Sequence, residues 1–131
     1  MHCKSLCDYK GMHFFKDCYI EGTVDFIFGN GKSLYLNTTI QSVARHLGVI
    51  TANGREDVGN DSGFTFLYCK ITRAGNSTTY LGRPWKLRPR VIFTFTYMGT
   101  IINSEGWSTE GHPERNHNQC ASGAHILFSY C

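Results

Sequence analysis

The chain has 131 residues, of which 41% are hydrophobic and 18% are charged, and its formal net charge is +3. This balance excludes an intrinsically disordered chain and fits one compact domain or part of a larger one. With 14 glycines, 9 phenylalanines, 7 tyrosines and few helix-forming runs, the composition favours β-structure with many turns. No stretch is long and apolar enough to indicate a transmembrane helix.

In chain order, alternating apolar and polar residues predict a series of β-strands. The predicted strands run over residues 19–28, 33–41, 47–52, 64–72, 78–82 and 90–102. The sequence from Ser104 to Cys131 is polar and irregular, so we predict a β-domain over residues 1–107 and a divergent tail over residues 108–131. Alternation does not fix how strands are connected, so a single antiparallel sandwich stays open at this point.

A faint repeat of a small residue, a variable residue and an isoleucine runs through these strands. The pairs are Cys18 with Ile20, Thr38 with Ile40, Cys69 with Ile71 and Gly99 with Ile101, at intervals of 20, 31 and 30 residues. Such repeats are typical of a solenoid, in which each coil stacks its inward side chains on those of the next. We therefore predict that Cys18 and Cys69 pack in the core and are neither disulfide partners nor nucleophiles.

The stretch GTVDFIFGNG, residues 22–31, places a carboxylate inside an apolar strand. Regular alternation would put Val24, Phe26 and Phe28 on one face and Asp25 and Ile27 on the other. A buried or half-buried carboxylate is costly unless it is paired or used in chemistry. Asp25 is therefore a candidate functional residue, and it needs a partner.

The best candidate partner lies in YLGRPWKLRPR, where Arg83 stands between a glycine and a proline that stiffen the loop. An arginine can grip a carboxylate with two hydrogen bonds and keep it ionised, ready to act as nucleophile or base. Trp85 offers a flat apolar face that suits a sugar ring. A purely structural Asp–Arg pair, with the tryptophan packed on a loop, is an equally open interpretation at this stage.

The remaining motifs concern export and metal binding. Cys3 and Cys7 have the spacing of half a zinc site, but no second half follows, so we predict no metal. The six cysteines would allow disulfides in an exported protein. Glycosylation sequons are compatible with secretion, and they lie at Asn37, Asn60 and Asn76. The first eleven residues lack the apolar core of a signal peptide, so we expect any leader to be missing from this chain.

The motifs GTVDFIFGNG and YLGRPWK together resemble the pectin methylesterases, or pectinesterases, of plants. KGMHFFKDCYIEG, ITANGRED and INSEGW resemble the same family between and around them, so the similarity runs from about Asp8 to Trp107. The resemblance implies an all-β, right-handed parallel β-helix, truncated so that its N-terminal coils are missing. Residues 1–107 would then be a partial pectinesterase domain.

The resemblance also implies a role for each matching residue. Asp25 would be the nucleophile that attacks a galacturonate methyl ester in pectin, and Arg83 would hold it and contact substrate. Trp85 would line the sugar subsite, with Val24 and Phe28 also touching substrate. It implies no metal or organic cofactor, a secreted protein of the cell wall, and a proteinaceous pectinesterase inhibitor as a further partner.

One position departs from the family pattern. The family's general acid is an Asp in a Q-D-T-L stretch, and alignment without gaps places that stretch on Cys3, Lys4, Ser5 and Leu6. Lys4 therefore occupies the acid position, where it cannot repeat the proton cycle of a carboxyl group and could pair with Asp25. The alternative function is a catalytically impaired fragment or pseudoenzyme that at most binds acidic polysaccharide.

Two further functions are considered from the residues alone. A glycosidase needs a pair of carboxylates, and the period of two would put Asp17, Glu21 and Asp25 on one face of a regular strand. A nucleic-acid binder would rest on the short basic cluster of Arg83, Lys86, Arg88 and Arg90, which is more typical of a solvated loop. Both are placed behind the esterase and the binding protein.

Overall fold

The computed structural model describes residues 1–98, 100–111 and 119–121, and in this part of the chain every regular element is a β-strand. The strands are His2–Lys4 (β1), Leu6–Cys7 (β2), Met12–Lys16 (β3), Tyr19–Gly22 (β4), Val24–Gly29 (β5), Lys32–Leu36 (β6), Thr39–Ser42 (β7), Leu47–Asn53 (β8), Gly63–Leu67 (β9), Lys70–Arg73 (β10), Thr78–Gly82 (β11), Val91–Thr94 (β12) and Gln119–Ala121 (β13).

The strands form three parallel sheets, A, B and C. Each of the first four coils of the chain adds one strand to each sheet in turn. Sheet A has the order β1-β4-β7-β10, sheet B the order β2-β5-β8-β11, and sheet C the order β3-β6-β9-β12-β13. All strand pairs are parallel. This is a parallel β-helix, so the fold class is confirmed and the antiparallel sandwich is wrong.

Several strands predicted as continuous are in fact two strands separated by a corner. A stacked set of non-glycine residues with left-handed φ marks the corner from sheet C to sheet A: Asp17 (56°), Asn37 (48°), Tyr68 (52°) and Phe95 (47°). The corner amides are satisfied by the next coil, since Asn37 N donates to Leu67 O at 3.0 Å. The alternating pattern survives the corner, and this explains why the sequence did not reveal the break.

The predicted isoleucine ladder is present in the first three of its four members. Ile20, Ile40 and Ile71 are adjacent in register on sheet A, and all are almost fully buried. In the next coil the bridge from Lys70 to Tyr97 places buried Met98 beside Ile71. Ile101 is therefore not the fourth member, and Gly99 lies outside the described residues.

The small residues of the repeat form a second ladder at the same corner. Cys18 N donates to Thr38 Oγ1 at 3.4 Å, and Cys69 N donates to Thr96 Oγ1 at the same distance. Cys18 and Cys69 are buried free thiols, as predicted, and burial raises the pKa of the Cys69 thiol. Cys131 lies outside the described residues.

An aromatic stack fills the interior behind sheet C. Phe15, Tyr35, Phe66 and Phe93 come from four successive coils, with ring centroids 4.8, 4.4 and 4.2 Å apart in that order. Their spacing follows the distance between neighbouring strands, so parallel rings stack with little offset from one coil to the next. This stack holds the coils in register.

The Phe66→Ala variant is expected to lose about 3–5 kcal/mol of the free energy of unfolding, because it leaves a cavity between two stacked rings. Chemical denaturation followed by circular dichroism would measure the loss. Phe14→Ala is the matched control, since Phe14 lies on the same sheet but is 60% exposed. Equal losses in the two variants would contradict a stabilising role for the stack.

The fifth coil is made of isolated bridges and one short strand. The bridges join Thr79 to Ile102 and Gly82 to Trp107, and β13 then pairs with β12. The sequence analysis did not predict β13, which lies within residues 108–131. Residues 112–118 and 122–131 of the predicted tail lie outside the described residues.

Candidate active site

Asp25 sits on a β-bulge in the strand β5. Val24 pairs with Val49 of β8 and Ile27 pairs with Thr51, so β5 uses three steps where β8 uses two. The extra residue is accommodated by a left-handed backbone at Asp25, whose φ is 52°. Bulges commonly redirect a side chain next to an active site, because the added residue breaks the alternation of faces.

The bulge overturns the predicted alternation in this strand. Phe26 and Ile27 are consecutive and both fully buried, where the alternation placed them on opposite faces. Asp25 and Phe28 instead line one cavity, and Val24 is 50% exposed without lining it. A one-residue bulge leaves no mark in the sequence beyond the residues themselves, so periodicity could not have located it.

Arg83 is the partner of Asp25. Arg83 Nε lies 2.8 Å from both carboxylate oxygens of Asp25, and Nη2 lies 2.7 Å from Oδ2. Both side chains are about three-quarters buried, with exposed fractions of 22% for Asp25 and 26% for Arg83. Hydrogen bonding to Asp25 raises the pKa of the Arg83 guanidinium, although partial burial opposes the shift. The pair is thus a charged, oriented one.

Local sequence explains how Arg83 reaches across a coil. It follows Gly82, where a Cβ would collide with the Thr51 hydroxyl of the neighbouring strand. Strand β8 lies between β5 and β11. Its residue Ala52 lines the same cavity and has a small side chain, so the Arg83 guanidinium can extend over it to Asp25. Sequence reasoning missed Ala52, because a small side chain gains this meaning only from the register of three strands.

Asp25 and Arg83 open into a cavity of about 280 Å³, whose other lining residues are Phe28, Ala52 and Trp85. Trp85 remains 40% exposed and presents an aromatic face beside the carboxylate. An ionised carboxylate next to exposed aromatic faces suits attack on a sugar derivative that stacks on those rings. Of the residues singled out from the sequence, Asp25, Phe28, Arg83 and Trp85 thus line one cavity, whereas Val24 and Lys4 do not.

Buried Asn53, at the end of β8, fixes the loops around Trp85. Its Oδ1 accepts hydrogen bonds from Arg55 N at 3.3 Å and from Arg90 N at 3.0 Å, and its Nδ2 donates to Ser62 Oγ at 3.0 Å. The Arg55 side chain, which is also buried, donates from Nη1 to Arg88 O at 3.1 Å. A polar residue at the end of a buried strand was the signal available in the sequence, and it was missed.

The basic cluster does not form one unpaired surface. Lys86 Nζ lies 3.3 Å from a Glu56 carboxylate oxygen, and Arg90 Nη2 lies 3.3 Å from Asp61 Oδ1. Arg83 is held by Asp25. Three of the four cations of the cluster are therefore paired with nearby carboxylates of the chain.

Lys4 lies in β1, opposite Glu21 of β4, and its side chain is exposed. Among the ion pairs of the described residues, Lys4 has no part, and the cation at Asp25 is Arg83. The expected alternative pairing of Lys4 with Asp25 is therefore not seen. Lys4 thus lies on sheet A beside Glu21, whereas Asp25 lies on sheet B with Arg83, and Lys4 does not line their cavity.

The three carboxylates considered for a glycosidase do not share a face. Asp17 lies at a corner and accepts a hydrogen bond from Asn37 Nδ2 at 2.6 Å. Glu21 accepts one from the Tyr19 hydroxyl at 3.1 Å, on sheet A. Asp25 is on sheet B beside Arg83. The same-face prediction is wrong, because a corner and a change of sheet separate these residues.

Within the described part of the chain, no group of three His, Cys, Asp or Glu side chains is arranged to hold a metal ion. The same residues contain no helix that is long and apolar enough to cross a membrane. The cysteines described there, Cys3, Cys7, Cys18, Cys69 and Cys120, are all free thiols.

Fold and site together define a parallel β-helix protein with a guanidinium-bound carboxylate in an aromatic cavity on sheet B. A family model described as Pectinesterase matches residues 2–115. The chain belongs to the pectinesterase family.

Similar sequences occur in several plants. Probable pectinesterase 50 of Arabidopsis thaliana is 54% identical over 103 residues, covering 79% of this chain and 28% of that protein. Pectinesterase 2 of Olea europaea is 46% identical over 121 residues, covering 86% of this chain and 32% of that protein. The chain thus spans about a third of the length of these relatives.

Solved structures of pectin methylesterases share the fold. The enzyme from carrot superposes with a TM-score of 0.79 at 26% identity, covering 93% of this chain and 45% of that one. The enzyme from Aspergillus niger superposes with a TM-score of 0.72 at 33% identity, covering 79% of this chain and 36% of that one. Both likenesses agree with the parallel β-helix of the described residues.

Proposed function

We propose that this chain carries the ester-hydrolysing site of a pectinesterase, which converts methyl-esterified polygalacturonate to pectate and methanol. The observation that carries the proposal is the grip of Arg83 on Asp25 inside a cavity beside Trp85, in a chain of this family. The site of action that fits this substrate is the plant cell wall, reached by secretion. A proteinaceous pectinesterase inhibitor is a partner consistent with the family.

In the first half of the reaction, an Asp25 oxygen attacks the carbonyl carbon of the galacturonate methyl ester. The tetrahedral intermediate collapses with cleavage of the bond to the methoxy oxygen, which takes up a proton and leaves as methanol. In the second half, water attacks the galacturonyl carbon of the acyl-enzyme, and the bond from that carbon to the Asp25 oxygen breaks. Water gives up both protons, one balancing the proton that the methoxy oxygen took up and one passing to solvent, so the product leaves as a carboxylate. The Asp25 carboxylate is thereby restored, and one water is consumed for each methanol released.

Arg83 contributes position and charge to both halves. Its bonds to both oxygens hold the carboxylate in one orientation and place a fixed positive charge beside the reacting group. Phe28 and Trp85 supply apolar faces against which the sugar can lie. Val24 does not line the cavity, but it is half-exposed and precedes Asp25 in the chain, so its proposed contact with substrate lies outside the cavity. No step assigned to these residues requires a metal or organic cofactor.

A second candidate function is binding of acidic polysaccharide without turnover, and the exposed amine of Lys4 favours it. A lysine at position 4 does not supply the carboxyl group that would donate a proton to the methoxy oxygen and later accept one from water. A site of this kind would keep the Asp25–Arg83 pair and the aromatic cavity while turning over slowly.

Two products and one binding measurement distinguish these functions. The purified chain is incubated with highly methylated pectin, and released methanol and new reducing ends are measured, with retention on a pectate column as a third readout. We expect methanol without reducing ends, because a carboxylate held by a guanidinium suits attack on an ester carbonyl. Retention without methanol would support the binding protein, and reducing ends would contradict both.

A further inference from the structure

Arg83 has a second carboxylate partner, Glu110, which the sequence analysis did not single out. Glu110 Oε2 lies 3.1 Å from Arg83 Nη1, whereas Asp25 occupies Nε and Nη2. The two acids thus bind different edges of one guanidinium. The Glu110 side chain is 45% exposed, so it lies at the rim of the site and faces solvent on its other side.

The fifth coil delivers Glu110 to this place. Trp107 is buried and bridges to Gly82, and Ser108 N donates to Gly82 O at 3.0 Å. The chain therefore runs past the residue that precedes Arg83. A sharp turn follows, with left-handed φ values of 48° at Glu110 and 81° at Gly111. A non-glycine residue in this region is uncommon and is held there by its surroundings.

The charge count of the site follows from this arrangement. One guanidinium stands between two carboxylates, so the three side chains carry one net negative charge in their ordinary ionised forms. Asp25 uses the side-on pair of donors, and Glu110 accepts from the remaining nitrogen. An incoming carboxylate would find no unopposed cation at this point.

Based on the proposed function, we propose that Glu110 is a specificity-determining residue that makes the site favour an uncharged methyl ester over a free galacturonate carboxylate. The product carboxylate forms at the acyl group on Asp25, and so arises next to the Arg83 guanidinium. Because Glu110 occupies Nη1, the product carboxylate forms beside a net negative charge, and this repulsion favours its release. Without Glu110, Nη1 would offer it a charge-assisted hydrogen bond.

Two other roles fit the contacts less well. Glu110 binds Nη1 while Asp25 binds Nε and Nη2, so the guanidinium stands between the two carboxylates and Glu110 is poorly placed to pass a proton to a group reacting at Asp25. A purely structural tie would also be expected to be weak, since exposed ion pairs contribute little to stability. The position of Glu110, on the guanidinium that grips the nucleophile, makes charge selection the function that its contact supports.

The test is a calorimetric measurement of how tightly an unesterified galacturonate oligosaccharide binds to three proteins. They are the unmodified chain, the Glu110→Gln variant and the Glu105→Gln variant. Glu105 is an exposed acid of the same coil, so its variant removes the same charge away from Arg83. We expect Glu110→Gln to bind about 3- to 10-fold more tightly, with the gain shrinking as salt is added, and Glu105→Gln to change less than about twofold.

Equal affinity in the unmodified chain and Glu110→Gln, or the same gain in Glu105→Gln, would overturn the proposal. Weaker binding with a lowered thermal midpoint in Glu110→Gln would also overturn it, since that is the signature of a structural tie. This ligand carries no ester, so binding is measured whether or not the chain releases methanol. Failure of the esterase function and failure of charge selection are therefore separate results.

Discussion

Replacing Asp25 with asparagine is expected to reduce methanol release from methylated pectin by at least ~10³-fold. An amide oxygen is not a competent nucleophile toward an ester, and removal of a covalent nucleophile typically eliminates most of the rate enhancement. Asparagine keeps the size of the side chain and tolerates the left-handed backbone of the bulge, where φ is 52°. We therefore expect this variant to fold normally, so that its loss of methanol release reflects the chemical step.

The matched control for this variant is Asp61→Asn. Asp61 is also bound by cations, with Lys32 Nζ at 2.7 Å and Arg90 Nη2 at 3.3 Å, but it is exposed and far along the chain from the bulge. We expect its methanol release to stay within about twofold of the unmodified chain. Release that persists in Asp25→Asn, after removal of any contaminating esterase, would contradict the assignment of Asp25 as nucleophile.

Replacing Lys4 with aspartate is expected to raise methanol release by about 10²- to 10⁴-fold. This range is the usual contribution of general acid–base catalysis, and the resemblance places the acid of the family at this position. Lys4 is in register with Glu21 on sheet A, and Asp25 is on sheet B, so the gain requires an aspartate at position 4 to reach past the corner between the two sheets. The Lys4 side chain is exposed and has no ion pair among the described residues. The change should therefore cost little stability, and pH-dependent initial rates would measure the gain.

The control is Lys16→Asp, which makes the same change of charge at an exposed residue of β3. We expect no gain from it, because a change in net charge alone does not supply an oriented acid. The double variant Lys4→Asp, Asp25→Asn should lose the gain completely if both residues serve one reaction. An equal rise in both lysine variants would mean that the effect is electrostatic steering of the substrate.

The sequence was most informative where side chains repeat from coil to coil. The Ile20, Ile40 and Ile71 ladder was predictable because each coil poses the same packing problem to the same kind of residue. The corners were not predictable, since left-handed φ at Tyr68 and Phe95 is imposed by stacking on neighbouring coils and not by local preference. Tertiary context overrides propensity at such positions.

In the candidate site, too, local features were predictable from the sequence and contacts between coils were not. The stiff glycine and proline around Arg83 suggested a fixed guanidinium, and the apolar setting of Asp25 suggested that it needed one. Their contact spans 58 positions, and it depends on a bulge in one strand and a small Ala52 in the next. The contact of Glu110 with Arg83 could not be predicted from the sequence, because it depends on the bridge in the fifth coil that brings this segment to Arg83.

The stacking of coils also makes the Asp25–Arg83 contact depend on strand register. Asp25 lies on β5 and Arg83 directly follows β11, and β8 lies between these two strands in sheet B. Because strand pairing with β8 sets the position of both neighbours, a slip of β8 by one residue would move the guanidinium relative to the carboxylate. A packing defect that loosens this register would therefore separate the pair even though it changes neither of the two residues.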